Sequence, residues 1–207
     1  GVGFRSTGTF STSRTFTLNA ANNAFEVTAG NVLTLTSPFT LSAVTNTLTK
    51  NDNGVFAITA DNTGWNGAVA INAGAIRVGH ANALGAGAVT VNNSVGSALQ
   101  LDGVSFGSPV TLFSTGASGI NSAGVIQATS GTSTLTGTIT QTTGSAVTIG
   151  ADAGATLNIN GTFATSNSTT FNVGSGGVIN LNTAYGNGGT GGPIFAKFGA
   201  GTLNVTV

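Results

Sequence analysis

The 207-residue chain has no cysteine, and therefore no disulfide and no thiolate ligand for a metal. That absence is compatible with an exported chain that must stay unfolded until it has crossed a membrane. Charge is almost as scarce: charged residues make up 5% of the chain and the net charge is zero, against a norm of about 25% charged. Arg5, Arg14, Lys50, Arg77 and Lys197 are spread along the sequence, which leaves no electrostatic footprint for nucleic acid or an anionic membrane. The acids Glu26, Asp52, Asp61, Asp102 and Asp152 stand apart from one another, and His80 is the single histidine. Glycosidase, triad and zinc chemistry need such groups in clusters, so the sequence predicts no enzyme, no metal site and no cofactor. Stacking could still join two acids, Asp52 and Asp61 for instance, although both read as solvated turn residues. No apolar run approaches the roughly 18 residues of a membrane span, and the opening GVGFRSTGTF lacks the pattern of a signal peptide. Membrane insertion of this segment is not expected, and any signal or anchor is expected to have been removed or to lie outside it.

What fills the chain is glycine, threonine, serine, asparagine and short apolar runs. Gly is 33 of 207 and Pro only 3, which fits neither a charge-rich disordered chain nor a collagen period. A surface so poor in charge must be hydrated by hydroxyls and amides, and outward-facing Thr on strands does this well because it is β-branched. The stretch from Lys50 to Leu101 sets the pattern. Its inward candidates come in pairs, Phe56 and Ile58, Val69 and Ile71, Ile76 and Val78, Val89 and Val91, Leu99 and Leu101, with Gly, Asn, Ala and Asp between. Successive pairs begin 13, 7, 13 and 10 residues apart. Two neighbouring intervals sum to about 20, the length of one coil of a parallel β-solenoid. Each inward pair contributes roughly 3 to 6 kcal/mol of burial against a similar ordering cost, so no coil stands alone.

The rest of the chain reads the same way. The opening Gly1 to Thr12 is polar and glycine-bearing, strands are predicted at Arg14 to Leu18, Ala24 to Thr28 and Val32 to Thr36, and Pro38 with Phe39 makes a break. Further strands are predicted from Pro109 to Leu181 and at Thr202 to Val207. No linker divides the chain. The fold class expected is all-β: one continuous solenoid over 1–207, with 8 to 10 coils at roughly 20 to 25 residues each. Gly74, Gly79, Gly85 and Gly87 suit turns that need positive φ or close backbone approach. Asn53, Asn66, Asn160 and Asn187, each before a glycine, suit the left-handed region. Trp65 and Tyr185 fall in Gly/Asn turns and are the candidate exposed aromatics for stacking on sugars or touching a partner; burial of Trp65 at the core edge is the competing reading. GNGGTGG at 186–192 reads as a loop, since it lacks the aspartate of calcium-binding nonapeptides.

Two segments recur. Phe25 and Val27 align with Val147 and Ile149 at an offset of 122, and Leu33 and Leu35 with Leu157 and Ile159 at 124. Lys50 and Gly54 align with Lys197 and Gly201 at 147. The last two offsets differ by 23, about one coil, as expected if whole turns are the unit that is inserted.

The run KNDNGVFAITADNTGWNGAVAINAGAIRVGHANALGAGAVTV resembles the autotransporter-associated β-strand repeat of bacterial passenger domains, and KFGAGTLNV, STSRTFTLNAANNAFEVTAG and GADAGATLNINGTF look like further pieces of it. After Lys50, Asn51, Asp52 and Asn53 stand where that family has a Gly two positions on. The resemblance implies a right-handed coil and a secreted or bacterial cell-surface setting, with no catalytic residue to carry over. Its expected function is structural: a stalk, fibre or adhesin, with environmental or host glycans as candidate partners. The alternatives are a β-helical carbohydrate-active enzyme, which needs two acids or bases converging within about 5 to 10 Å in a cleft, and a carbohydrate- or ice-binding module. Nothing in FGAGTLNVTV or the opening residues blunts a terminal strand. Leu203, Val205, Val207, Val2 and Phe4 are therefore the candidates for contact with a next coil, whether of a longer chain or of a copy stacked end to end.

Overall fold

The computed structural model describes residues 2–92, 96–113, 119–142, 146–165, 167–186 and 195–206. Every strand pair is parallel, and the chain winds through three faces. The first face carries Val2–Ser6, Asn22–Val27, Thr47–Asn51, Val69–Ile71, Val89–Val91, Val110–Leu112, Ile139–Gln141 and Phe163–Ala164. The second carries Phe10–Thr12, Val32–Leu35, Val55–Ile58, Ala75–Val78, Ala98–Asp102, Ile126–Ser130, Val147–Ala151, Thr169–Val173 and Phe195–Phe198. The third begins as Thr17–Leu18 beside Thr40–Leu41 and resumes as Ser105–Phe106, Thr132–Leu135, Thr156–Ile159, Val178–Leu181 and Thr202–Val205. This is a parallel β-solenoid of about eight turns. Its helical content among the described residues is one three-residue 3-10 turn, Ile120–Ser122, and no helix is long and apolar enough to cross a membrane.

Alternation explains the core. On the second face Leu33, Phe56, Ile76, Leu99, Ile126, Ile149 and Phe171 lie in direct register, one above the other. All seven are fully buried, so each apolar side chain packs on its equivalents in the coils above and below as well as across the interior. The spacing between partners runs from 20 residues (Val55 to Ala75) to 29 (Val110 to Ile139). The value of about 20 read from the sequence is therefore the short end of the range.

Coils three and four have no strand on the third face. Residues 59–68 and 79–88 form bends there, and Trp65 fills the space. It is 0% exposed, stands edge-on to Phe39 with centroids 5.6 Å apart, and donates its indole N–H to the Asn46 carbonyl at 2.7 Å. Trp65 is thus a core residue and not an exposed aromatic: the bend that looked like a surface turn replaces a strand, and its largest side chain closes the gap.

The corners hold three corrections. The opening residues form two strands that pair with the second coil, because Phe4 and Phe10 alternate with the polar residues around them. The turn residue in the left-handed region after Lys50 is Asp52 (φ 64°), whereas Asn53, Asn66 and Asn160 are not left-handed; the glycines after them serve close backbone approach instead, a Cβ there standing 2.4, 1.8 and 2.0 Å from a carbonyl oxygen of the neighbouring coil. Asn187 lies outside the described residues. The third concerns the internal repeat. Phe25 and Lys50 are on the first face, but their sequence equivalents Val147 and Lys197 are on the second. Each offset is therefore a whole number of coils plus one face, and the repeated unit is a strand–corner–strand. Lys50 Nζ donates to the carbonyls of Asn51, Asp52 and Ala73 at 2.7, 2.6 and 3.1 Å, and Lys197 donates to Gly199, which is left-handed at φ 80°. The same lysine ties the same kind of corner on two different faces.

Candidate functional site

The outward column of the second face runs Ala57, Arg77, Gln100, Gln127, Gly150, Asn172. Outward side chains of a solenoid are normally wet, yet Gln100 and Gln127 are only 4% and 5% exposed. The longest coil supplies the reason. Residues 119–124 overhang the second face, where Gly119 and Gly124 bridge and Asn121 and Ser122 both take positive φ, 53° and 59°. Asn172 Nδ2 holds the Ser122 carbonyl at 3.1 Å. Gly150 makes room beneath: a Cβ there would stand 1.6 Å from the Ala123 carbonyl oxygen. Only glycine allows the overhang to lie this close to the sheet.

The overhang and the corners at residues 29–32 and 53–55 wall a groove of about 780 Å³, within the range of ligand sites. Its floor is a chain of hydrogen bonds. Arg77 Nε donates to Gln100 Oε1 at 3.0 Å, Gln100 Nε2 to Gln127 Oε1 at 2.8 Å, and Gln127 Nε2 to Asp152 Oδ1 at 2.6 Å. The direction of this chain is fixed at both ends, because arginine can only donate and an ionised carboxylate can only accept. Asp102, which accepts from the Ser130 hydroxyl, also lines the groove. Arg77 thus stands at one end of the ladder and Asp152 at the other, three coils on, with Asp102 in the coil next to Arg77.

The residues singled out from the sequence lie elsewhere. Tyr185 is half-buried and packs edge-on against Phe163 and Phe195, centroids 5.3 and 5.4 Å away. Its hydroxyl donates to the Asn167 carbonyl at 3.3 Å, and burial raises its pKa. It continues the interior of the first face through a bridge to Phe163, so it too is a packing residue and not an exposed platform. Asp52 is turned to Arg5 at 3.4 Å. Asp61 is bound within its own turn to Thr63, whose hydrogen bonds lower its pKa. The two acids thus have separate partners in separate turns. His80 Nδ1 accepts from the Asn82 N–H inside the turn GHAN. Phe4 is half-buried between Phe16 and Phe25, with centroids 4.9 and 6.0 Å away. Leu203 is half-buried and Val205 is 49% exposed. Val207, residues 187–192 of the glycine-rich loop and the side chain of Val2 lie outside the described residues.

No motif marked the groove. Gln100 and Gln127 are neighbours across a coil of 27 residues, longer than the sequence period suggests, and the register shift just beyond them, between Leu101 and Asp102, sets Asp102 beside Ser130. Among the described residues no three His, Asp or Glu side chains converge as a metal set. No family model matches the chain, and no curated protein or solved structure matches it.

Proposed function

We propose that the chain is a non-catalytic structural solenoid of a bacterial surface, a section of a stalk, fibre or adhesin, whose last coil packs against another coil of the same geometry. The observation that carries this reading is that the apolar columns of the third face run into its last strand. Leu203 lies over Ile179 and Leu157, and Val205 over Leu181 and Ile159. Yet Val205 is 49% exposed, and on the second face Phe195, over the buried Thr169, is 39% exposed. Among the described residues Phe195–Phe198 and Thr202–Val205 each pair on one side only, which leaves a row of free N–H and C=O groups beside the apolar patch. A further coil would satisfy both at once. The secreted setting rests on the resemblance of the repeats.

One observation favours a catalytic reading: Asp102 and Asp152 share the groove two coils apart, which at the usual strand spacing is about 9.5 Å. Both carboxylates already accept a hydrogen bond, from Ser130 and Gln127, and no histidine or lysine lines the groove. That arrangement favours holding a ligand over transferring a proton.

The test is light scattering of the 207-residue chain across a concentration series. The unmodified chain is expected to associate and Val205→Lys to remain a folded monomer, because the charge enters the joint without touching interior coils. A chain that stays monomeric at high concentration would rule out end-to-end stacking.

A further inference from the structure

We propose that the groove on the second face binds a saccharide bearing a carboxylate, with the acid group on Arg77 and the sugar hydroxyls toward Asp102 and Asp152. The argument starts from the hydrogen bonds left over. Arg77 uses Nε on Gln100, and among the described residues its two terminal nitrogens have no protein partner. A guanidinium offers those N–H groups as a planar fork that matches a carboxylate. Each glutamine of the floor spends its oxygen and one N–H on the ladder, so its remaining N–H is a further donor. The cationic end thus offers donors alone, and it selects an acceptor carrying negative charge.

Beside and beyond Arg77 the character is opposite, with Asp102 one coil and Asp152 three coils away. Asp102 and Asp152 are acceptors, each with oxygen lone pairs beyond the single bond that it accepts. Two carboxylates there would repel a second acid group and suit hydroxyl donors. A ligand with one carboxylate and several hydroxyls, spread over more than one sugar ring to fill about 780 Å³, meets both ends. The site is also pre-formed. Gln100 and Gln127 are locked between neighbours, and the overhang is fixed by Asn172, so little ordering cost attends binding.

The test is isothermal titration of the 207-residue chain with sialyllactose, a trisaccharide with a single carboxylate, its methyl ester and succinate. Saturable binding of the acid is expected, with the ester and succinate each at least about 10-fold weaker, since one loses the charge and the other the hydroxyls. Arg77→Gln should weaken sialyllactose by about 10-fold or more with an unchanged circular dichroism spectrum, and Arg77→Lys should recover part of the loss. Three results would overturn the proposal: no binding up to roughly 10 mM, an ester that binds as well as the acid, or succinate that binds as well as sialyllactose. An Arg77→Gln chain with full affinity would do so too. Assembly is read at Val205 and binding at Arg77, so either proposal can fail without the other.

Discussion

Burying an ammonium costs several kcal/mol unless hydrogen bonds answer the charge, and at Lys50 three backbone carbonyls do so. The residue occupies the inward column between Phe25 and Ile71 and has no exposed surface, yet its chain bends to the corner and gathers carbonyls that the turn leaves unpaired. Lys50→Met keeps the apolar stem and strands those carbonyls, so a loss of about 1–3 kcal/mol is expected in urea denaturation at neutral pH. The ammonium itself adds a pH dependence. Burial lowers its pKa from 10.5 to about 8, against the opposing charges of Asp52 and Glu26. Between those values the unfolded chain holds a proton that the folded chain has released, so this contribution to stability rises with pH through that window. Below it both states are protonated and the cost of the buried charge is present in full. The stability difference between the native chain and Lys50→Met should therefore widen from about pH 7.5 to pH 9.5; a flat difference would mean that the ammonium is not desolvated. The pairing of Lys50 with Lys197 was legible in the sequence, but its purpose was not. An inward-pointing lysine contradicts the alternation from which strands are read, and for that reason Thr47–Asn51 and Phe195–Phe198 went unread as strands.

Strands elsewhere were legible because a period of two is a direct consequence of burying one face, and Ala75–Val78 and Val178–Leu181 stand where the pattern puts them. Corners were legible as turns but not as the repeating unit: FEVTAGNVLTL and VTIGADAGATLNI share a shape and lie on different faces, which no one-dimensional alignment can express. The groove was illegible for a different reason. Its floor depends on a segment that crosses over a sheet, and the one residue that permits the crossing, Gly150, looks in sequence like any strand-end glycine. Gly150→Ala tests that element. With 1.6 Å between the new Cβ and the Ala123 oxygen, backbone must move, and the overhang, tied down by few bonds, is expected to move before the sheet. Hydrogen exchange should rise at Ala123 and Val125, whose amides bond Ile120 and Thr148, while Ile76 and Ile149 amides in the strands keep their protection. Exchange that rises equally in Val147–Ala151 would show the sheet to be the weaker partner.

A solenoid's stability is a sum over coils and the interfaces between them, so a residue's worth depends on how many neighbouring coils it touches. Aromatic rings thicken the core toward both ends. Phe4, Phe16, Phe25, Phe39, Phe56 and Trp65 form one contiguous set, and Phe163, Phe171, Tyr185 and Phe195 another, while among the described residues of the coils between, Phe106 is the single buried ring. Large rings supply area where coils have fewer neighbours to lean on. Ile149 and Leu203 make the comparison direct. Ile149 is fully buried between Ile126 and Phe171, so Ile149→Ala leaves a cavity closed on both sides and should cost about 2–5 kcal/mol. Leu203 packs on Ile179 alone and is half-buried, so Leu203→Ala should cost about 1 kcal/mol or less. Both are best measured by urea denaturation in the Val205→Lys background, in which the end is held open. Equal losses there would mean that the last coil is covered as fully as an interior one, and the exposed columns would then no longer support stacking. A large loss at Ile149 with a small one at Leu203, growing only when Val205 is restored and the protein concentrated, is the outcome that end-to-end packing requires, because binding at the joint adds its free energy to the folded state alone.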